Sequence, residues 1–311
     1  MRVDPILLLH FRETPCEPNG RDHANLAAAI TKAASKHTYY TIRLLADRSR
    51  VGHAYRAYAY FRWVDDYLDG KAAGRAERIG FLERQQMLVN RCYRGETLDD
   101  LCPEEALLAQ LIASDSEAHS GLQAYIRNLM AVMAFDTERR GRLISQGELA
   151  EYSCHLATGV TEALHYFIGH NDNAPHTDER YLAVTGAHIT HMLRDTCEDS
   201  AAGYFNIPCE FLEAHRLDPC AVQNDAYREW VESRVRLARR CFEAGKRYLA
   251  QVRNRRCRFA GYAYMTRFEH VLDTIEHDGY RLRAAYPEND TLYTELTLAR
   301  STLSLFSKSS I

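Results

Sequence analysis

Two acidic segments, far apart in a chain of 311 residues, hold the side chains best suited to chemistry. They are Asp65-Asp66-Tyr67-Leu68-Asp69 and Arg194-Asp195-Thr196-Cys197-Glu198-Asp199. Each carries two carboxylates four residues apart, and on a helix positions i and i+4 share a face with roughly 5–6 Å between Cβ atoms. Like charges so placed repel unless a cation holds them. Hard carboxylate oxygens suit Mg2+, which in turn suits a phosphate-bearing substrate. Two such helices facing each other across an apolar cavity would ionise a diphosphate.

The neighbours of each segment sharpen this. Tyr58, Phe61 and Trp63 precede the first cluster, and a solvated helix face is not flanked in that way. Arg62 lies three and four residues before Asp65 and Asp66, the spacing of an intrahelical ion pair. Upstream of the second cluster, His188, His191, Asp195 and Asp199 fall on one helical face. His with carboxylate at that spacing leaves Zn2+ or Fe2+ open, as it does an exposed polar stripe. The missing HExxH and the all-oxygen cluster upstream favour Mg2+. A third segment, Phe268–Tyr280, reads as a core helix closed by Gly279. The arginine-rich stretch 234–258, beginning at Arg234, reads chiefly as a solvated face, with phosphate or partner binding as the alternative.

Helices have to position these groups. Apolar residues recur at helical spacing almost throughout, no alternating strand pattern appears, and Gly and Pro fall between periodic runs. The pattern predicts an irregular extension over 1–22, then one helix from an Asp22 cap to about residue 47. Further helices are expected over 49–68, 74–95, 104–117, 120–139, 146–170, 178–200, 224–254, 256–282 and 289–306. Pro103-Glu104-Glu105 places proline and acids in a first turn, Ser145 to Glu148 has capping-box spacing, and Thr177-Asp178-Glu179 offers another cap. No linker, repeat or composition shift divides the chain, so a single all-α domain over 23–311 is the economical expectation.

Composition limits the classes open to the chain. With 46% hydrophobic and 26% charged residues it has the balance of a globular protein, and a net charge of −3 gives no reason to expect a nucleic-acid partner. Nine cysteines without a CxxC pair fit a reduced, cytoplasmic setting. The run Ile6-Leu7-Leu8-Leu9 is too short for a signal sequence, and no segment reaches the roughly 20 apolar residues of a membrane span. An apolar substrate would still leave peripheral contact with a membrane surface open.

Taken together, four ordered stretches resemble the squalene/phytoene synthase family. They are Tyr58–Asp69, the tyrosine-bearing segment Glu151–Val160 with Tyr152, Leu193–Asp199, and Val271-Leu272-Asp273 followed by Gly279-Tyr280. The resemblance spans about residues 24–283. It implies an isoprenoid synthase fold, a helical bundle around a central cavity. It also implies Mg2+-assisted departure of an allylic isoprenyl diphosphate and capture of the carbocation by an alkene. By position it makes Asp65, Asp69, Asp195 and Asp199 metal ligands and Arg62 and Arg194 diphosphate partners. Aromatic faces such as Tyr40, Tyr58 and Phe61 would stabilise the cation.

The chain departs from the family pattern around the second motif. His191 and His188 stand where Asn and Gln are usual, and Gly203-Tyr204-Phe205-Asn206-Ile207-Pro208 lacks the Arg and Tyr of a GRxYLP-like turn. Phe268 replaces a common Tyr, and the basic tail shrinks to Arg281 and Arg283. The expectation is therefore a prenyltransferase that still ionises one donor but uses an acceptor without a diphosphate, such as an aromatic ring, with His188 or His191 as base or orienting group. Phytoene-synthase-like enzymes that prenylate aromatic natural products, including carbazoles, are such an offshoot. The alternatives are head-to-head condensation of two isoprenyl diphosphates and a non-catalytic assembly factor. Donor chain length, acceptor identity and oligomeric state are not readable from the sequence.

Overall fold

The computed structural model describes residues 23–70, 74–170 and 174–286. The extension over 1–22, the Asp22 cap and the helix expected over 289–306 lie outside them. The described residues form eleven α-helices: α1 (His23–Ala34), α2 (Lys36–Leu45), α3 (Val51–Asp69), α4 (Arg75–Tyr93), α5 (Pro103–Ala113), α6 (Gly121–Arg139), α7 (Gln146–Ile168), α8 (Glu179–Ala201), α9 (Cys209–His215), α10 (Asp225–Gln251) and α11 (Arg255–His277). Among them the β component is an isolated bridge between Ile144 and Pro208. The all-α expectation is met. Among the described residues no helix is long and apolar enough to cross a membrane, and the eight described cysteines are all free.

Two compact units divide the chain, a first drawn from Arg2–Glu138 and Thr158–Asn171 and a second from Arg139–Ala157 and Asp172–Ile311. In the first, α3 packs against α1 and α5 and is buried on most of its circumference, including Tyr58, Tyr60, Phe61, Val64 and Asp65. Its interior holds a satisfied polar network. The Tyr60 hydroxyl donates to Gln85 Oε1 (3.1 Å), Gln85 Nε2 donates to Glu105 Oε1 (2.9 Å), and Arg84 Nε donates to the same oxygen (2.7 Å). The arginine holds the Glu105 carboxyl down at about 2 against the opposing effect of burial.

The expected single helix over 22–47 is instead α1 and α2. Ser35 sits between them in an extended conformation, and its hydroxyl accepts from the Thr38 N–H at 3.1 Å, so serine breaks one helix and caps the next. The Pro103 and Ser145–Glu148 starts hold: Glu148 accepts from the Ser145 N–H (2.8 Å) while Ser145 Oγ accepts from the Glu148 N–H (3.2 Å). At the start of α8, Asp178 makes no side-chain cap. The seven-residue α9 was too short to show a period. Helix α11 ends at His277, before the expected 282, because Gly279 and Tyr280 both take positive φ, 61° and 65°.

In the second unit α8 packs against α10 and α11. The α8–α10 approach depends on small residues. A Cβ on Gly245 would lie 2.7 Å from Ala183 Cβ and 2.9 Å from its backbone, and one on Gly186 would lie 3.0 Å from the Ala238 carbonyl and the Phe242 ring. Gly245→Val should therefore cost about 1–3 kcal/mol in urea denaturation. Gly80→Ala, on a helix face with nothing within 4 Å, should be neutral or stabilising by up to about 1 kcal/mol. Equal effects at the two sites would remove the packing argument.

Candidate active site

The first acidic motif closes the C-terminal half of α3. Asp65 is 7% exposed, and burial, reinforced by the charge of Asp69, pushes its carboxyl well above the usual range, with Arg62 opposing. Asp66 and Asp69 are exposed. The Arg62 guanidinium forks onto Asp66, with Nε 2.9 Å from Oδ2 and Nη2 on Oδ1, and its Nη1 reaches Asp65 Oδ2 at 3.7 Å. The intrahelical ion pair expected from spacing is thus present. Tyr58 and Phe61 are buried on the same helix, whereas Tyr40, on α2, is half exposed and stands edge-on to Tyr39.

The second motif lies on α8, in the second unit. Asp195 is held from both sides: Arg194 donates Nε and Nη2 to its two oxygens (2.6 and 2.8 Å), and His191 Nε2 lies 2.8 Å from Oδ2. Although burial acts to raise it, these donors leave the Asp195 carboxyl well below the usual range. Asp199, one turn on, behaves oppositely. It is buried, desolvation lifts its carboxyl to about 6, and Asn206 Nδ2 donates to its Oδ2 at 2.7 Å. Asn206 Oδ1 in turn accepts from Arg139 Nη1 at 3.0 Å.

His188 completes this neighbourhood. It is 2% exposed, and neither ring nitrogen has a hydrogen-bond partner. Burial, then the charges of His191, Arg139 and Arg234, depress its basicity well below the ordinary imidazole value, so it is neutral. Its ring meets Tyr152 edge-on at 5.1 Å, and the Arg139 guanidinium lies 5.0 Å from the Tyr152 ring. Phe268 packs against the His191 ring at 6.4 Å.

The second unit thus brings together His188, His191, Arg194, Asp195, Asp199, Tyr152 and Phe268 from the sequence-derived set. The first unit holds Arg62, Asp65, Asp69, Tyr58 and Phe61 on α3, with Tyr40 on α2. Sequence reasoning missed Arg139 and Asn206. Arg139 belongs to no motif that spacing could single out, yet it is fully buried. Asn206 registered only as a departure from a family turn.

Among the described residues no group of three or more His, Cys, Asp and Glu side chains is gathered for a metal ion. That set does not fit Zn2+ or Fe2+ held by protein ligands alone. It does fit Mg2+, which takes one or two carboxylates and fills its remaining positions with water and phosphate oxygens. A buried, poorly compensated carboxylate such as Asp65 or Asp199 gains most from such a counter-ion. Without metal, Asp199 keeps its proton to about pH 6 in the fold but releases it near 3.9 when unfolded. The native state then binds more protons over that interval, and stability falls as pH rises through it, by about 2–3 kcal/mol. Asp199→Asn removes this loss. The variant should gain on metal-free wild type at about pH 7.5 and lose that advantage by about pH 4, as read by urea denaturation. A difference independent of pH would show the carboxyl is not perturbed.

No curated protein matches the chain. Among solved structures, it is similar to squalene synthase HpnC from Alicyclobacillus acidocaldarius, at 22% identity and a TM-score of 0.70, covering 85% of this chain and 96% of that one. A dehydrosqualene synthase in complex with ligand matches at 16% identity and a TM-score of 0.68, covering 93% and 98%. At these identities the likeness shows the isoprenoid synthase fold. The family model of squalene/phytoene synthase matches residues 31–293, so the chain belongs to that family and is a prenyltransferase.

Proposed function

We propose that the chain transfers a prenyl group from an allylic isoprenyl diphosphate to an acceptor that carries no diphosphate, such as an aromatic ring, and releases diphosphate. Asp65 with Asp69 on α3, and Asp195 with Asp199 on α8, would each hold Mg2+, which when bound neutralises the departing diphosphate oxygens. Arg62 and Arg194 add fixed positive charge beside those carboxylates. Tyr58 and Phe61 supply ring faces suited to a carbocation.

The observation that carries the acceptor assignment is the His191–Asp195 pair, 2.8 Å apart on α8. Alkylation of an aromatic ring leaves a cation that must lose a proton. A histidine whose Nε2 is anchored on a carboxylate presents Nδ1 as a base, and the amide usual at this position in the family cannot do so. Asp195 also has both oxygens engaged by protein donors. This leaves fewer carboxylate oxygens for metal than a site handling two diphosphates would use.

Turnover with Mg2+ and allylic diphosphates of five to twenty carbons, alone and with aromatic acceptors, tests this. Pyrophosphate release should require the acceptor, and Asp65→Asn and Asp195→Asn should each lower it by about 10²-fold or more. A thirty- or forty-carbon hydrocarbon formed from a single diphosphate would establish head-to-head condensation instead.

A further inference from the structure

Helix α2 turns one face to the interior and another to solvent. Thr38 and Ile42, one turn apart, are its buried residues, and α1 and α3 are the helices it packs against. On the opposite side Lys36, Tyr40 and Leu44 follow at four-residue steps, with Arg43 beside them, and all four are exposed. Leu44 is 71% exposed and Tyr40 51%, so two large apolar side chains stand in water one turn apart. The other exposed large apolar side chains among the described residues, Tyr67, Met87 and Leu143, are scattered singly over α3, α4 and a loop. Single ones are ordinary, whereas a pair within a basic face is not.

The charge around this pair has one sign. Between Ala24 and Ala46 the chain carries Lys32, Lys36 and Arg43 and no acid, although its net charge is −3 overall. Lys32 Nζ lies 5.6 Å from the Tyr39 ring, which stands edge-on to Tyr40 at 5.3 Å, so this third cation borders the same face. Among the described residues no carboxylate pairs with Lys32, Lys36 or Arg43. On α10, by contrast, Arg236 pairs with Glu232, Arg239 with Asp273 and Glu276, and Lys246 with Glu269.

We propose that the exposed face of α2 docks the protein on an anionic lipid bilayer. Tyr40 and Leu44 enter the headgroup boundary, and Lys32, Lys36 and Arg43 lie against lipid phosphates. A helix with apolar residues flanked by bases on one face lies in the plane of such an interface. The tyrosine ring suits that depth, and lysine and arginine stems cover apolar surface while their charged heads stay in the phosphate layer. A second copy of the chain fits this face poorly, because a twofold contact would set its bases against their own equivalents. A nucleic acid would use the bases and leave Leu44 in water. The helix has only ten residues, so the contact is reversible and sensitive to salt. Docking is independent of which acceptor the enzyme uses. An isoprenyl diphosphate, with its apolar tail and anionic head, collects at the same boundary.

Sedimentation of the full chain with vesicles tests this, using phosphatidylcholine alone and phosphatidylcholine mixed with phosphatidylglycerol. Wild type should partition onto the mixed vesicles at least about tenfold more strongly, and should lose most of that preference at about 1 M salt. Lys36→Gln combined with Arg43→Gln should lower partitioning onto mixed vesicles by about tenfold, and Leu44→Gln should lower it severalfold. Melting by circular dichroism checks that each variant is folded. Should the double variant fail to fold, Leu44→Trp reads the same contact: its added indole emission should shift to the blue on mixed vesicles, and an unshifted spectrum overturns docking. So does wild type that ignores mixed vesicles or binds neutral ones equally, or full binding by the folded α2 variants. Loss of binding in Arg255→Gln combined with Arg256→Gln, with the α2 variants unaffected, would move the contact to the start of α11 and overturn it. Soluble poly-glutamate bound as tightly as vesicles, with Leu44→Gln making no difference, would make this a face for an acidic protein and also overturn it.

Discussion

A carboxylate taken out of water needs a counter-charge, a donor or a proton, and the two acidic motifs place three aspartates under that constraint. Each is answered differently. Asp195 is given donors, a bidentate arginine and a histidine, and is fixed as an anion. Asp199 accepts an amide N–H from Asn206, and burial leaves it close to taking a proton. Asp65 has Arg62 at 3.7 Å, yet burial, reinforced by the like charge of Asp69, pushes its carboxyl well above the usual range. The carboxylates least compensated by protein are those for which a hard cation brings the largest gain. Proteins keep such costly groups where they are used.

The second motif depends on backbone geometry as much as on charge. Helix α8 comes close to α10 because Gly186 and Gly245 remove the side chains that would hold the helices apart. Further along α8, burial of the His188 ring, which stands edge-on to Tyr152, keeps it neutral. Packing and the protonation state of a candidate binding group are therefore one property in this region. Asn206 shows the same coupling in a turn: its amide joins Arg139 to Asp199, so the position of a carboxylate is tied to an arginine from the end of a different helix.

Much of this was legible in the sequence, and the failures share a cause. Helices with three or more turns declared themselves through apolar period and chemical starts, and the i, i+4 carboxylates and the Arg62 pairing followed from helical geometry. Ser35 was overlooked because a single capping serine inside an Ala-rich run is a weak local signal, although its hydroxyl is enough to end one helix and begin another. Arg234 was read as solvated with the rest of its stretch, yet it is half-buried, and Arg139, which no motif singled out, is fully buried. Whether a given arginine faces water or the interior is decided by what packs over it, and that partner is distant in sequence.

Charge balance at α8 also bears on which ligand the second unit can hold. Arg194 is neutralised by Asp195, and Asn206 satisfies an Arg139 donor without adding negative charge. His188 is buried and held neutral, so it adds no charge of its own. A diphosphate carries two or more charges and is normally met by metal together with several cations. The imidazoles that stand for amides on α8 thus mark where this chain departs from the family pattern, while the aspartates of both motifs remain.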